Sequence, residues 1–436
     1  MRRREGEKFV ADILDPMDIA WDALQNGSGP EPSIGMKGES CSKVLAMCVA
    51  SCWRSVVLHE ARSMPNLPGF GNYHLLVALT PHGYGHAAMT APVVNTLRRR
   101  LPGLRLTLQT TLPRPFLENS YDGIFEQIDN IPDFGLCMGS ATEVLIEASA
   151  RRYQELHAGL DALVAQEADR LARLGIDLVL ANIPYVTLLA ARKAGIRAMA
   201  LSCLNWAAIY HAYCGDRPEA PAIEAEMLTG YRSAQVFLTP QPAMAMPDLG
   251  AILRPIGPLA RRGTPRRREL RDRLGLSPDI RLGLVAFGGM ETGWTFRDWP
   301  RLDGWHWIVT SDPEGRPDLI FHDKIGMQFS DLFCSCDAVI GKPGYGTFAE
   351  AGVGGVPLLS LSRPDWPETA GLLAWLTEHG RCLEISRESL FDPGTLAGRL
   401  DDLLSLPEKL PAEPSGAEEA ADWLEIALTG RDKTRS

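Results

Sequence analysis

A glycine-rich turn, GKPGYGTFAEAGVGG at residues 341–355, joins an apolar run to a segment of helical composition. Open parallel sheets bind ligands beyond the carboxyl ends of their strands, where the first N–H groups of the following helices attract anions. Gly344 and Gly346 would let the backbone approach a phosphate, and Thr347 could cap the helix and donate its hydroxyl. Glu350, about one turn further on, could accept hydrogen bonds from ribose hydroxyls. The turn is therefore a candidate nucleotide site.

This turn alone is equally compatible with a plain strand-to-helix connection, in which Glu350 is a solvated acid that complements the helix dipole. A second glycine pair, Gly288 and Gly289, follows the strand-like run RLGLVAF. Two loops at one edge of a sheet could hold a diphosphate between them. Neither loop matches a Walker sequence or a G-x-G-x-x-G dinucleotide motif with its following acid. The pair favours a diphosphate ligand over ATP hydrolysis or hydride transfer.

A third glycine loop, PHGYGH, follows the apolar run YHLLVALT near the start of the alternating pattern. Gly83 and Gly85 flank Tyr84, and His86 stands where the loop enters a helix. A histidine in that place could take a proton from an acceptor hydroxyl, with His82 as a weaker second candidate. A lone histidine more often caps a helix or bonds a carbonyl, so both interpretations stay open.

Polar and aromatic side chains also follow a later strand, in the stretch LNWAAIYHAY. Asn205 and Trp206 could form the floor of an acceptor pocket, because aromatic rings suit the apolar faces of sugars. Packing in the core is the commoner role for a tryptophan, and it is the favoured interpretation for Trp206. For Asn205 the two interpretations are evenly balanced.

Composition limits the class of protein. Lys and Arg total 44 against 54 Asp and Glu, a formal charge of -10, and no basic stripe interleaved with aromatics offsets it. Nucleic acid is therefore not an expected partner. Nine cysteines without C-x-x-C pairs fit a reducing cytosol. We expect a cytoplasmic protein, with a weaker alternative of peripheral contact to the inner face of the membrane through the basic runs at 98–100 and 261–268.

Strand-like runs alternate with helical periodicity through most of the chain, the pattern of a doubly wound α/β protein. The Pro- and Arg-rich stretch ILRPIGPLARRGTPRRR interrupts this pattern and indicates a domain boundary. The predicted organisation is an N-terminal extension (1–70), a Rossmann-like acceptor domain (71–255), a linker (256–280), a Rossmann-like nucleotide-sugar domain (281–412), and a C-terminal helix and tail (413–436).

The motifs HGYGH, FGG and KPGYGTFAEAGVGGVPLL resemble glycosyltransferases of the GT-B fold, in particular the family 28 group that includes the peptidoglycan N-acetylglucosaminyltransferase. The stretches DLVLANIPYVTLLAARKAGIRAMALSCLNWAAIYHAY and KPGYGTFAEAGVGGVPLLSLSRPDWPE are most similar to the glycosyltransferase-like half of plant L-arabinokinases and to bacterial stand-alone relatives. The resemblance covers roughly residues 74–385. It implies two Rossmann-like domains facing a cleft.

The resemblance also assigns site residues on the donor side. It implies that Gly344, Tyr345, Gly346 and Thr347 contact the donor diphosphate and that Glu350 binds the ribose of a uridine nucleotide. By the same resemblance, Arg363 and Glu368 occupy the positions that contact the donor sugar in that family. His86 occupies the position of the family's loop histidine near the reacting centre. Lys342 or Arg363 would offset the charge of the leaving diphosphate.

The family's paired glutamine after the last strand is replaced by RPDWPE here, so the donor sugar stays open. The expected reaction is inverting, metal-independent sugar transfer of the hexosyltransferase type, with no cofactor beyond the donor. A hydrolase or epimerase of nucleotide sugars on the same scaffold is one alternative. A non-catalytic nucleotide-sugar-binding protein is another, because the segment between Gly289 and Trp305 is short for a crossover helix. Oligomeric state stays open.

Overall fold

Apolar runs that stop at a proline, glycine or asparagine form the strands of two parallel sheets. The computed structural model describes residues 73–140, 143–287, 296–310 and 315–430. The predicted N-terminal extension, the glycine pair at 288 and 289, and the end of the C-terminal tail lie outside the described residues.

The first sheet has the strand order β3-β2-β1-β4-β5-β6-β7, with every pairing parallel. Its strands are β1 (His74–Leu79), β2 (Arg105–Gln109), β3 (Glu126–Ile128), β4 (Leu178–Asn182), β5 (Arg197–Leu201), β6 (Phe237–Pro240) and β7 (Leu253–Ile256). Its helices are α1 (Gly85–Arg100), α2 (Arg114–Ser120), α3 (Ile146–Ala158), α4 (Leu160–Leu174), α5 (Tyr185–Lys193), α6 (Trp206–Cys214) and α7 (Ala220–Arg232), followed by a 3-10 turn, Pro247–Leu249.

The second sheet has the order β10-β9-β8-β11-β12-β13 and is also parallel. Its strands are β8 (Arg281–Ala286), β9 (Trp305–Val309), β10 (Leu319–Phe321), β11 (Ala338–Gly341), β12 (Leu358–Leu361) and β13 (Cys382–Ile385). The helices of this half are α8 (Arg267–Leu274), α9 (Phe329–Ser335), α10 (Tyr345–Gly354), α11 (Thr369–His379), α12 (Arg387–Leu390), α13 (Pro393–Ser405) and α14 (Gly416–Thr429), with 3-10 turns at Phe296–Asp298 and His322–Lys324.

The predicted α/β class with two Rossmann-like halves is confirmed. All six residues of β1 are buried, as expected for a parallel strand that helices cover on both faces. Strand order reverses at β1, which lies between β2 and β4, and again at β8, which lies between β9 and β11. Loops leave in opposite directions at such points and open a crevice, so both halves have a natural ligand position at the carboxyl ends of these strands.

The connection between the halves is shorter than the predicted linker, 256–280. Helix α8 lies inside that stretch, and its fully buried Leu270 belongs to the core of the second half. Arg267 and Arg271 of the same helix each form an ion pair with Asp337, with N–O distances of 2.9 Å. The connecting segment is therefore residues 257–266.

The last helix, α14, returns to the first half and packs against α1. Three buried residues of α14, Ala420, Ala421 and Leu424, belong to the first hydrophobic core. Arg100, at the end of α1, pairs with Asp422 at 2.6 Å and also contacts Glu418. The first sheet and the end of the chain are thus held together by apolar packing and by ion pairs.

Within the basic run at 98–100, all three arginines have partners in the protein, and Arg99 donates to the Thr96 hydroxyl at 2.7 Å. Arg98 donates to the carbonyl oxygens of Asp122 and, at 2.6 Å, Ile124, and Arg100 bonds to carboxylates of α14. Peripheral membrane contact through this run stays an untested prediction. Within the described ranges, no helix is both long enough and apolar enough to span a bilayer.

We expect Gly416→Ala to destabilise the protein. A Cβ at this position would lie 2.0 Å from the carbonyl oxygen of Gly257, and neither backbone can move without separating α14 from the connecting segment. Overpacking of this kind costs about 1–3 kcal/mol or more in free energy of unfolding. Gly398→Ala in α13 is the matched control, because a Cβ there meets nothing within 4 Å. Equal melting temperatures for the two variants would contradict the close approach.

Candidate active site

His86 lies in the first turn of α1 and is held by a side chain from the neighbouring strand. Its Nδ1 lies 2.8 Å from Oδ1 of Asn182, the last residue of β4. The Asn182 amide nitrogen lies 3.4 Å from the His86 carbonyl oxygen and 3.4 Å from the Met89 sulfur, so its oxygen is the atom that faces the ring. Because that oxygen can only accept, Nδ1 must carry the proton. The Nε2 lone pair is left to accept one.

Burial keeps this imidazole neutral. Only 8% of His86 is exposed, and burial lowers its pKa, an effect that the hydrogen bond to Asn182 partly offsets. Burial also lowers the pKa of His82, to about 3, and the charges of His86, Lys342 and Arg363 lower it as well. A useful general base has a pKa near the working pH, so His82 is a poor candidate, whereas His86 has the hydrogen bond to Asn182 that orients it.

Trp206 supports both histidines from the core. Its ring centroid lies 5.1 Å from that of His82 and 5.8 Å from that of His86. The indole is 1% exposed and its Nε1–H donates to the Thr80 hydroxyl at 3.3 Å. A Cβ on Gly135 would come within 2.6 Å of the indole, which leaves no space on that side. The position of Trp206 is therefore that of a core residue, the favoured interpretation of the sequence, and not of an exposed sugar platform.

Asn205, for which the sequence left two roles, is the N-cap of α6. Its Oδ1 accepts a hydrogen bond of 2.8 Å from the backbone N–H of Ala208, and the residue is 2% exposed. The capping role accounts for the asparagine without an acceptor.

The rest of the predicted acceptor side forms the loop in front of α1. Gly83 has a φ of 76°, a conformation that favours glycine. Tyr84 is 41% exposed, with its ring 4.4 Å from that of Phe116. A Cβ on Gly85 would meet nothing within 4 Å. The protein therefore leaves open space beside the N-terminus of the helix that carries His86.

On the second half, α10 presents its N-terminus without a side-chain cap. Gly344 is the N-cap residue and offers no side-chain cap, and among the described residues no side chain is seen to bond the amides of the first turn. Thr347 was expected to cap this helix; it instead lies in the third helical position, so that expectation was wrong. The first intrahelical bond of the turn joins the Phe348 N–H to the Gly344 carbonyl at 3.3 Å. The preceding N–H groups have no partner within the helix.

The side chain of Tyr345 bonds within the protein, and the contact of this residue with the donor diphosphate stays a prediction. Its hydroxyl accepts a bond of 2.7 Å from the Leu259 N–H and lies 3.3 Å from the Gln241 carbonyl oxygen. The ring is 8% exposed and belongs to the core of the first half. The side chain therefore ties α10 to the connecting segment, and only the Tyr345 backbone N–H remains for a diphosphate. Gly346, by contrast, faces open space, since a Cβ there meets nothing within 4 Å.

Glu350 lies on α10, one turn after Gly346, in a half-buried position. Burial raises the pKa of its carboxyl to about 7. Among the described residues, none forms a hydrogen bond or an ion pair with this carboxylate. A partly desolvated acceptor of this kind suits a ligand with vicinal hydroxyl groups.

Charged side chains of the second half lie near His82 of the first half. Lys342 follows β11 and Arg363 follows β12, the adjacent strand, and both charges act on the His82 ring. Glu368 is 3% exposed; its Oε1 accepts from the Cys203 thiol at 3.1 Å and its Oε2 accepts from the Trp366 indole at 3.1 Å. Burial raises the pKa of Glu368 and lowers the pKa of Lys342.

Two members of this arrangement were missed from the sequence, Asn182 and Cys203. Each is the polar residue at or just after the end of an apolar strand, and that position was the available signal. Within the described parts of the chain, no group of three or more His, Cys, Asp or Glu side chains could hold a metal ion.

Comparison with solved structures identifies this architecture. The calicheamicin glycosyltransferase CalG4 superposes with a TM-score of 0.52 at 18% identity, covering 82% of this chain and 94% of that protein. UGT89C1 of Arabidopsis thaliana gives 0.52 at 18% identity, with 81% and 99% covered. The glycosyltransferase of kitacinnamycin gives 0.51 at 16% identity, with 82% and 95% covered. The fold is GT-B.

Sequence comparison adds a curated relative. L-arabinokinase of Arabidopsis thaliana is 26% identical over 366 residues, which cover 82% of this chain and 35% of that protein. The chain thus spans about a third of the length of this curated relative. No family model matches the sequence.

We expect the raised pKa of Glu350 to make the melting temperature of the protein depend on pH. An unfolded glutamate loses its proton near pH 4.5, whereas folded Glu350 keeps it to about pH 7. Between those values the folded state binds more protons, so the contribution of Glu350 to the free energy of unfolding falls as pH rises. Glu350→Gln should therefore melt higher than the unaltered protein at pH 8 and show little of this advantage at pH 4.5. A melting-temperature difference that is the same at both pH values would contradict the raised pKa.

Proposed function

We propose that this GT-B protein is a glycosyltransferase that moves a sugar from a nucleotide diphosphate donor to a hydroxyl acceptor, with inversion and without a metal ion. One observation carries the proposal. Helix α1, which holds His86 with its Nε2 lone pair available, contacts α10, whose first N–H groups are uncapped and face open space at Gly346. A proton acceptor and an anion site therefore lie on touching helices.

The donor would be bound by backbone and side-chain groups of the second half. The N–H groups at the start of α10 suit a diphosphate, because their dipoles and the helix dipole both favour negative charge. Gly346 leaves the space that the phosphate needs. The unpaired carboxylate of Glu350 is available for the ribose hydroxyls, and the family resemblance points to a uridine nucleotide.

The reaction would be a direct displacement. The acceptor oxygen attacks the anomeric carbon while its proton passes to Nε2 of His86, and the bond between that carbon and the diphosphate oxygen breaks. The N–H groups of α10, with Lys342, stabilise the charge on the departing diphosphate. Attack from the face opposite the leaving group inverts the anomeric centre. The role of Asn182 is to hold the tautomer, since it supplies orientation without a second charge.

The same proposal covers the family, the partners, the location and the cofactors of the protein. The likeness of the glycine loops to family 28 supports a relation to that group, and the absence of a basic stripe argues against nucleic-acid partners. A cytosolic location and the lack of any cofactor beyond the donor complete the proposal. Hydrolysis and epimerisation of the donor are outcomes that the experiments below separate.

We expect His86→Ala to abolish sugar transfer and to leave donor affinity within about twofold, because the donor contacts lie on the other half. Transfer is measured by mass spectrometry of acceptor mixtures incubated with a nucleotide sugar that binds. His211→Ala is the matched control, since His211 is exposed on the same half and pairs with Glu224 at 2.9 Å.

Unchanged transfer in His86→Ala would contradict its role as base. Release of free sugar in the absence of any acceptor would identify a hydrolase, and an altered sugar on the donor would identify an epimerase. Either product would overturn the transferase proposal.

We expect Gly346→Ala to weaken binding of the nucleotide diphosphate about tenfold or more while the melting temperature is kept or raised. The added methyl group meets no protein atom within 4 Å, but it would occupy the space proposed for the phosphate. Gly398→Ala, also in a helix and also without a neighbour within 4 Å, controls for the effect of alanine on helix stability. Undiminished affinity in Gly346→Ala would place the diphosphate elsewhere.

A further inference from the structure

Arg363 is a buried cation whose hydrogen-bonding capacity is only partly used. The residue is 5% exposed, and its guanidinium carbon lies 4.4 Å from the centre of the Trp366 ring. Its Nε and Nη2 atoms are buried, and neither has a hydrogen-bond partner among the residues the structure describes. A buried charge is stable only when it is paired and hydrogen-bonded, so an arginine in this state indicates a missing anion.

The carboxyl of Glu368 interacts with Arg363 through its charge, but the neighbouring carboxylates form their hydrogen bonds with other groups. Glu368 accepts from the Cys203 thiol and from the Trp366 indole, both at 3.1 Å. Asp365 accepts from the Tyr213 hydroxyl at 2.9 Å. Neither carboxylate bonds to Nε or Nη2 of Arg363.

The two unpartnered nitrogens define the shape of the expected ligand. Nε–H and Nη2–H lie on one edge of the planar guanidinium and point in parallel, so together they fit two oxygens on one atom. Carboxylate and phosphate groups both have this geometry.

The position of Arg363 distinguishes between the two groups. It follows β12, whereas the uncapped amides that suit the diphosphate follow β11 at the start of α10. Its charge acts on His82 of the first half, four residues before His86. Arg363 therefore lies on the side of the cleft where the transferred sugar meets the base.

We propose that Arg363 binds a carboxylate of the transferred sugar, so that the donor is a nucleotide-linked hexuronic acid. This inference rests on the proposed function, since it specifies the donor of the same cleft. Lys342 supplies a second positive charge nearby, and the Trp366 ring holds the guanidinium plane in place.

The test compares matched donors that differ only at the sixth carbon of the sugar. Isothermal titration calorimetry on the full chain uses UDP, UDP-glucose with UDP-glucuronate, UDP-galactose with UDP-galacturonate, and GDP-mannose with GDP-mannuronate. A bidentate charge-assisted pair predicts tighter binding of one uronate than of its neutral partner, on the order of 10- to 100-fold.

Arg363→Met removes the guanidinium and keeps an apolar side chain of similar length against Trp366. We expect it to abolish the preference for the uronate, to leave affinity for UDP within about twofold, and to raise the melting temperature of the ligand-free protein, since an unpaired buried charge has been removed. Arg268→Met is the control for loss of one positive charge, because that side chain is 97% exposed.

The possible results separate the two levels of the proposal. If UDP and the neutral sugar donors bind but no uronate is preferred, the uronate inference is wrong and the nucleotide site stands. If Arg363→Met weakens UDP itself as much as the uronate, the guanidinium binds the diphosphate and the inference is again wrong. If no nucleotide or nucleotide sugar binds, the proposed function fails and the inference fails with it. A lower melting temperature in Arg363→Met would identify a structural arginine.

Discussion

Concentration of positive potential in one cleft is the constraint on which the rest of the site depends. Helix α1 follows β1, where the first sheet reverses its order, α10 follows β11, which lies beside the corresponding strand β8, and the two helices touch. Each N-terminus carries a partial positive charge, and Lys342 and Arg363 add two whole charges, which the buried carboxyl of Glu368 partly offsets. Arg363 disfavours the charge on Lys342, and a bound anion would relieve that repulsion.

The cleft is held in this state by contacts that have no ligand role. The Tyr345 hydroxyl joins α10 to the connecting segment, the Cys203 thiol joins the first half to Glu368, and α14 closes the first half around the end of the chain. These contacts bury polar groups that are satisfied by one another. The edge of Arg363 is left unsatisfied by these contacts, although Arg363 lies near His82 and Lys342.

As the proposed base, His86 depends on Asn182 for its orientation and receives no stabilising negative charge from it. An aspartate beside His86 would raise its pKa and stabilise the imidazolium, whereas Asn182 fixes the proton on Nδ1 and adds no charge. The imidazole therefore stays neutral in its buried position. A base of this type suits a site where negative charge develops at the same moment on a nearby leaving group.

Local patterns in the sequence were enough for the two-sheet architecture, for the glycine turns and for the place of His86, because apolar run length and glycine position act over a few residues. The short strands β3, β6, β7 and β13 were missed, since three or four residues carry too little periodicity. The capping role of Thr347 was wrong and the side-chain contacts of Tyr345 were missed, for related reasons. The register of a helix start shifts easily by a few residues, and a tyrosine in a glycine turn gives no sign of the distant Leu259 that it bonds. Asn182 was missed because its partner lies 96 residues away.

The proposed reaction depends on a nucleotide diphosphate site at the uncapped start of α10, the helix that contacts α1. Isothermal titration calorimetry of the full chain with UDP, GDP and dTDP tests this site most directly. We expect one of the three to bind saturably with one site per chain, and UDP to bind most tightly. Absence of saturable binding by all three would contradict it.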